Sequence, residues 1–364
     1  MAHEAQQRYS DLVLAKLRSE LVLADGFVFN NDYEGDPASG AVKIPVRDTE
    51  VTVSDYDKAN GIQPGTGSTS YVTMVIDKDK AINELIDGYD AESVPDKLVA
   101  DRLDSGGYAL ARQVDTDGAT VLLAGSTVTN VESLTNVNIY ATIVDIRTAM
   151  SKANIPDDGK RYLLVTPDTF ALILKSPEFI SASDLGDDVK KNGILGKIAG
   201  FLVKEWNDST ANLAMIAGHP RFATRAHEWG VPVKVQDLAQ SGNYIGACAV
   251  QGRRVYAHKV LRSLAIRSVF APGSLTVTLA ASDAGKTIAT VTAGNTGSTY
   301  AYKLNPSVRA TYDETSSAYD GTSLTSGTTK ISVSEGDVLE IVNLSSSKVK
   351  AVAYVAVTAA DIGT

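Results

Sequence analysis

The sequence predicts an α+β fold with an all-β region appended, on three observations. Helical and strand-like apolar patterns are interspersed through residues 1–270 with no regular β-α-β repeat. Two alternating runs, Val42-Ile44-Val46 and Tyr71 to Ile76, bracket a polar, Gly-rich stretch and read as one long hairpin. Beyond Ala271-Pro272-Gly273 the charge thins: the last 94 residues hold six Lys or Arg, eight Asp or Glu, and 28 Ser or Thr. That shift places a domain boundary at 270/271. The full 364 residues suffice for two or three domains at roughly 100–200 residues each.

The elements follow in order. Residues 1–25 form a weakly amphipathic arm through Leu12, Val13, Leu14, Leu17, Leu21 and Leu23. In the hairpin, Val51 and Val53 alternate in the opposite phase to Val42, Ile44 and Val46, which predicts a bulge or bend over Arg47–Glu50. The tip contains Asn60-Gly61 and Pro64-Gly65-Thr66-Gly67, and each arm would reach roughly 20–40 Å at about 3.3 Å per residue. A lone two-stranded hairpin is marginal in water, so this one must lie on its own body or on a neighbour. Ser93, with Pro95 and Asp96 behind it, caps a helix whose face is Val99, Leu103, Gly107, Leu110 and Val114. Gly106-Gly107 within it predicts a kink or a close helix–strand contact, since each Gly costs about 1 kcal/mol relative to Ala.

A second helix is set by Ile139, Ile143, Ile146 and Met150 and ends before Ile155-Pro156. The run Tyr162-Leu163-Leu164-Val165 is a buried strand, and Thr166-Pro167 opens a third helix that Pro177 closes. A Gly- and charge-rich loop spans Glu178–Gly200. Strands follow at Phe201-Leu202-Val203, Leu213–Ala217, Val231–Val235, Ile245–Val250 and Val255–Ile266. In the tail, the alternating runs Leu275–Leu279, Lys330–Ser334, Val338–Val342 and Val349–Val357, punctuated by turn residues, predict a small β-sandwich or barrel.

Chemistry is sparse. With 34 basic against 43 acidic residues the net charge is −9, and no basic block marks a dedicated nucleic-acid binder. No stretch approaches the roughly 20 apolar residues of a membrane span, and the N-terminus lacks a signal-peptide layout. One cysteine and four histidines exclude a disulfide framework and a Cys-based zinc site. Gly61–Ser68 resembles a phosphate loop but lacks its Lys. Asp115-Thr116-Asp117-Gly118 is an incomplete calcium loop and reads as a turn. His219 and His227-Glu228, flanking Arg221 and Arg225, lack zinc-protease spacing and read as a short surface helix. Cys248 reads as a buried inert thiol. Asp157-Asp158 and Asp187-Asp188 read as solvated loops, and no G-x-S-x-G elbow occurs. Arg253, Arg254, His258, Lys259, Arg262 and Arg267 cluster on the last core segment, as intersubunit salt bridges or, less favoured, as phosphate contacts. No catalytic, cofactor-binding or metal residue is assigned, and the chain is expected not to be an enzyme.

The order of elements resembles the major capsid protein of tailed bacteriophages, a fold shared with herpesvirus shells. The resemblance covers about residues 1–270. It rests on the hairpin from Gly40 to Ile76, the helix from Ser93 to Val121, the block Ile139–Phe179 with Arg161-Tyr162-Leu163-Leu164-Val165-Thr166-Pro167, and Gly252-Arg253-Arg254-Val255-Tyr256-Ala257-His258. It implies an N-terminal arm (1–30), an extended hairpin loop over an adjacent subunit (31–77) and a peripheral and axial capsid core (78–270). Within that core, 90–124 would be the spine helix, 139–240 much of the axial domain, and Asp184–Gly200 its axis-proximal loop. The tail (271–364) would be an added Ig-like or decoration-type domain.

The function so implied is self-assembly into pentamers and hexamers of an icosahedral shell around double-stranded DNA. The implied partners are further copies of the chain, a separate scaffolding protein, a portal, decoration proteins, and DNA contacted non-specifically, with no membrane and no cofactor. Synthesis would be in the bacterial host cytoplasm and residence in the virion. Two alternatives are a nanocompartment shell of the same fold and a carbohydrate-binding protein using Tyr300, Tyr302, Tyr312 and Tyr319.

Overall fold

The computed structural model describes residues 18, 21–23, 26–34, 39–46, 51, 53–62, 69–93, 98–177, 196–238, 244–292 and 298–363. Most of the N-terminal arm, the tip Pro64–Gly67, the residues Pro95 and Asp96 after Ser93, and the loop from Glu178 to Ile194 lie outside the described residues, as does Asp187-Asp188. The chain divides into two compact units, residues 1–125 with 219–263, and residues 126–218 with 264–364.

In the first unit, β1 (Ala41–Val46) and β2 (Ser70–Val75) pair antiparallel from Ala41↔Val75 to Val46↔Ser70, the hairpin stem that alternation predicts. One face of the stem buries Ile44 and Met74 completely, against Ala226 and Ala257 of the same unit. Next come β3 (Lys78–Ile86), helix α1 (Gly88–Ser93) and helix α2 (Leu98–Gly125). At 1.5 Å per residue, the 28 residues of α2 extend about 42 Å. The expected face is half right: Leu110 and Val114 are buried, but the buried stripe continues through Gly118, Ala119 and Leu122.

Gly106-Gly107 does not interrupt the helix. A Cβ at Gly106 would lie 2.7 Å from Ile82 Cδ1, whereas one at Gly107 meets nothing within 4 Å. The close helix–strand contact therefore falls at Gly106, one residue before the predicted face. Asp115-Thr116-Asp117-Gly118 is a correction: it lies inside α2, and its carboxylates have partners there. Asp115 accepts from Leu23 N–H at 3.3 Å, and Asp117 accepts from Tyr256 O–H at 2.7 Å and the Gln113 amide at 3.1 Å.

The chain then enters the second unit as β4 (Thr127–Asn130), α3 (Ile139–Lys152), β5 (Tyr162–Val165), α4 (Pro167–Leu174), β6 (Lys197–Ile198), β7 (Phe201–Glu205) and β8 (Leu213–Gly218). Ile139, Ile143, Ile146 and Met150 are the buried face of α3, as their spacing predicts. All four residues of β5 and all six of β8 are buried. Continuous burial belongs to a strand covered on both faces. Thr166 stands at the N-cap of α4, but its hydroxyl bonds Thr169 Oγ1 and the Ala214 carbonyl rather than a helix N–H. Arg161 has only 1% of its surface exposed; its guanidinium donates to the carbonyls of Ile155 and Pro156 and to Ser151 Oγ, satisfying the chain as it leaves α3.

The first unit is completed by β9 (Ala223–Asp237) and β10 (Cys248–Val260), which with β3 make an antiparallel sheet of order β3-β10-β9. The short helix expected over His219–Trp229 is a correction. Only Pro220–Phe222 turn, as one 3₁₀ turn, and the rest is strand paired to β10.

The last part of the second unit begins with β11 (Arg267–Phe270), completing the mixed sheet β4-β11-β8-β5-β7-β6. Then follow β12 (Gly273–Ser274), β13 (Val277–Ala281), β14 (Lys286–Val291), β15 (Thr299–Leu304), a helical turn α5 (Ser316–Tyr319), β16 (Thr322–Leu324), β17 (Lys330–Ser332), β18 (Val338–Ser345) and β19 (Lys348–Ala356). They form two sheets, β12-β19-β18-β15-β16 and β13-β14-β17. Ala289, Leu324, Ile331, Leu339 and Ile341 make one core. Ala301, Ala310, Tyr319, Val342, Leu344, Val349 and Val352 make a second, on the other side of β18. The fold is α+β with an all-β C-terminal region.

Candidate assembly surface

The hairpin stem ends at Val46 and Ser70, and the arm continues beyond it without strand pairing over 53–56. Alternation predicted that Val51 and Val53 would resume a strand after a bulge. Instead they are 90% and 94% exposed, and Tyr56, Ile62 and Tyr71 are exposed with them. The bulge or bend predicted over Arg47–Glu50 lies outside the described residues. Isolated exposed apolar residues are ordinary, but a run of them on one extended segment marks a contact surface.

The arm is not shapeless where it is described. Asp57 closes a local turn: Gly61 N–H donates to its carbonyl at 2.8 Å, and its carboxylate accepts from Ala59 N–H at 2.8 Å and the Asn60 amide at 2.7 Å. These donors, the Ala59 backbone foremost, hold the Asp57 carboxyl below the usual carboxylate range. Gly61 sits at φ +69°, a left-handed conformation that suits glycine. The resemblance to a phosphate loop ends there, since the first glycine serves the Asp57 turn and residues 63–68 lie outside the described residues.

The other singled-out residues are dispersed. His219, 2% exposed, accepts from Arg221 N–H through Nδ1 and caps the 3₁₀ turn. His227 is exposed on β9; partial burial and then the charges of Arg225 and Arg254 lower its pKa. His258 is buried beside Phe29, with ring centroids 4.8 Å apart, and Tyr256, at 5.5 Å. Neither of its ring nitrogens has a hydrogen-bond partner among the described residues, and burial, reinforced by Arg225, lowers its pKa to about 3. Cys248 is half-buried at the start of β10 rather than buried. Asp157 accepts from Arg147 at 2.9 Å, and Asp158 from Lys160 N–H. No group of three or more His, Cys, Asp or Glu that could hold a metal occurs among the described residues. No helix there is long and apolar enough to cross a membrane.

The four tail tyrosines offer no open platform for a sugar. Tyr319 is buried, Tyr300 and Tyr302 pack against the first tail core, and Tyr312 stacks on Phe270 at 5.6 Å. Sequence reasoning missed Glu340, which is fully buried on β18 and accepts from Ala310 N–H at 2.8 Å. Its only signal was one charge inside the apolar run Val338–Val342.

Residues 90–268 match the family model described as phage capsid protein. No curated protein sequence matches the chain. Among solved structures, one from Mycobacterium phage Che8 is 24% identical over 73% of this chain and 96% of its own, with a TM-score of 0.62. The capsid structure of the cyanophage P-SCSP1u is 13% identical over 74% and 93%, also at 0.62. The mature capsid of bacteriophage PhiM1 is 14% identical over 74% and 92%, at 0.57.

Proposed function

We infer that this chain is a major capsid protein of a tailed bacteriophage, forming the shell of the virion, and that the hairpin arm of each copy lies across the next. The observation that carries this reading is the arm itself. Its base is fastened to its own unit by Ile44 and Met74, while Val51, Val53 and Tyr56 beyond the stem have almost no cover. Burying such side chains is worth about 25 cal/mol per Å², and a closed symmetric assembly repeats each contact at every copy.

In this reading residues 1–30 are an arm, 31–77 the loop over a neighbour, 78–270 the peripheral and axial tile, and 271–364 an added module. The copies associate as pentamers and hexamers around double-stranded DNA, with a separate scaffolding protein, a portal and decoration proteins as further partners. Assembly begins in the bacterial cytoplasm. The chain's role is structural, and its excess of acid suits a wall that does not hold DNA tightly, since phosphate affinity depends on Lys and Arg.

Deleting Thr49–Ser70 tests the reading. Negative-stain microscopy and sedimentation should show shells for the intact chain, co-expressed with its scaffold, and soluble folded subunits for the deletion. Normal shells from the deleted chain would sink the role given to the arm.

A further inference from the structure

The cations at the end of the core segment are not used by the reading above, and the structure separates them into two kinds. Arg253 is neutralised: its guanidinium forms a two-pronged pair with Asp79 on β3 and lies over the Trp229 ring, 5.4 Å from the centroid. Arg254, one residue on, projects from the opposite face of the sheet. Directly across from it in register stands Lys80. Arg225 on β9 is near enough for the charge of Arg254, after burial, to lower its pKa.

Like charges directly opposite on paired strands destabilise a sheet. Neither Lys80 nor Arg254 has an ion-pair partner among the described residues, in a chain of net charge −9. Three of the carboxylates nearby are already used, and Glu228, in the β9 bulge between His227 and Trp229, keeps a buried oxygen with no hydrogen-bond partner among the described residues. Asp79 holds Arg253, Glu84 pairs with Arg102 at 3.5 Å, and Asp117 accepts from Tyr256 and Gln113. Among the described residues no ion pair relieves this repulsion.

We propose that Lys80 and Arg254 form a socket for a carboxylate of a second copy, and that its occupant is Asp55 on the neighbour's hairpin arm. This rests on the reading in which the arm lies over an adjacent subunit. Asp55 is exposed and has no hydrogen-bond or ion-pair partner among the described residues, unlike Asp57, whose carboxylate is spent on its own turn. It stands between Val53 and Tyr56, the side chains that need cover, so one docking event answers both the uncovered apolar run and the unpaired cations. A polyphosphate strand fits less well. Two adjacent cations in a chain of net charge −9 match one carboxylate, whereas an extended polyanion needs a longer basic track.

The test is charge exchange in the full chain co-expressed with its scaffold. Arg254→Glu alone, and Asp55→Arg alone, should each lower shell yield by about tenfold or more through like-charge contact, and the double variant should recover most of it. Thermal melting of the soluble subunits reports folding, and Arg254→Gln, which removes charge without reversing it, should lose less. Wild-type yield from Arg254→Glu would overturn the proposal. So would normal shells with lost DNA, which would make the cations a phosphate site, and so would failure of the double variant to recover while both single variants remain folded. If the Thr49–Ser70 deletion still assembles, the reading of the arm is wrong. If that deletion blocks assembly and Arg254→Glu does not, only the socket is wrong.

Discussion

The hairpin arm and the C-terminal β region are both made of short alternating strands, yet they treat their apolar side chains in opposite ways. The arm buries one face of its stem on Ile44 and Met74 and then exposes Val51, Val53 and Tyr56. In the tail, β18 is buried at six consecutive positions, with one core on each side. The tail has its own second sheet to cover it, and the described arm beyond its stem has none. Alternation shows which face of a strand is apolar. Whether that face is covered by the same chain depends on what else is near it in space. The tail therefore covers its own apolar faces, and the described arm beyond its stem does not.

Truncating each region should separate the two most widely. Ile341→Ala, in the first tail core, should cost about 2–5 kcal/mol in chemical denaturation. Val53→Asp should leave the denaturation curve within about 0.5 kcal/mol of wild type, because nothing in the subunit covers that residue. Equal losses from the two would erase the distinction.

Buried polar groups sharpen the contrast between the tail and the body that carries the arm. Glu340 in the tail has a backbone donor on one oxygen, whereas His258 in the body has no partner on either nitrogen among the described residues. A histidine whose folded pKa lies near 3, below its unfolded value near 6.5, adds stability that is full above pH 6.5 and declines as the pH falls toward 3. Wild type should lose up to about 1.4 kcal/mol per pH unit below 6.5 from this group, and His258→Gln should flatten that slope between pH 6.5 and 5. Parallel pH profiles would show that His258 does not titrate with unfolding. The smallest effect contrasts two neighbours in α2. Gly106→Ala should destabilise by about 1 kcal/mol or less, because its Cβ has to displace only the tip of Ile82. Gly107→Ala, with open space around it, should stabilise by about 1 kcal/mol or less.

Local patterns were readable where local rules decide them. The face of α3, the Thr166-Pro167 helix start, the buried run of β5 and the hairpin stem all follow from spacing and turn chemistry. What escaped depends on distant chain. β3 carries Lys78, Asp79, Lys80 and Glu84, and it is a strand because β10 lies beside it. Residues 223–229 look helical in isolation and are strand for the same reason. Asp115-Thr116-Asp117-Gly118 has turn composition, but Leu23, Gln113 and Tyr256 satisfy its carboxylates within a helix. The candidate assembly surface was visible as a hairpin with a change of phase. The unpaired Lys80–Arg254 couple was not, because it exists only once two strands are in register.

That register also bears on synthesis. Strand β3 ends at Ile86, and Cys248, the residue it pairs with, leaves the ribosome about 160 residues later. At about 5–20 residues per second, roughly 10–30 s pass in which α2 and β3 exist without the sheet that buries Ile86, Leu110 and Val114. For that interval the nascent chain exposes apolar surface that its own later strands will cover. The demand for protection against premature association is therefore built into the order in which its strands are made.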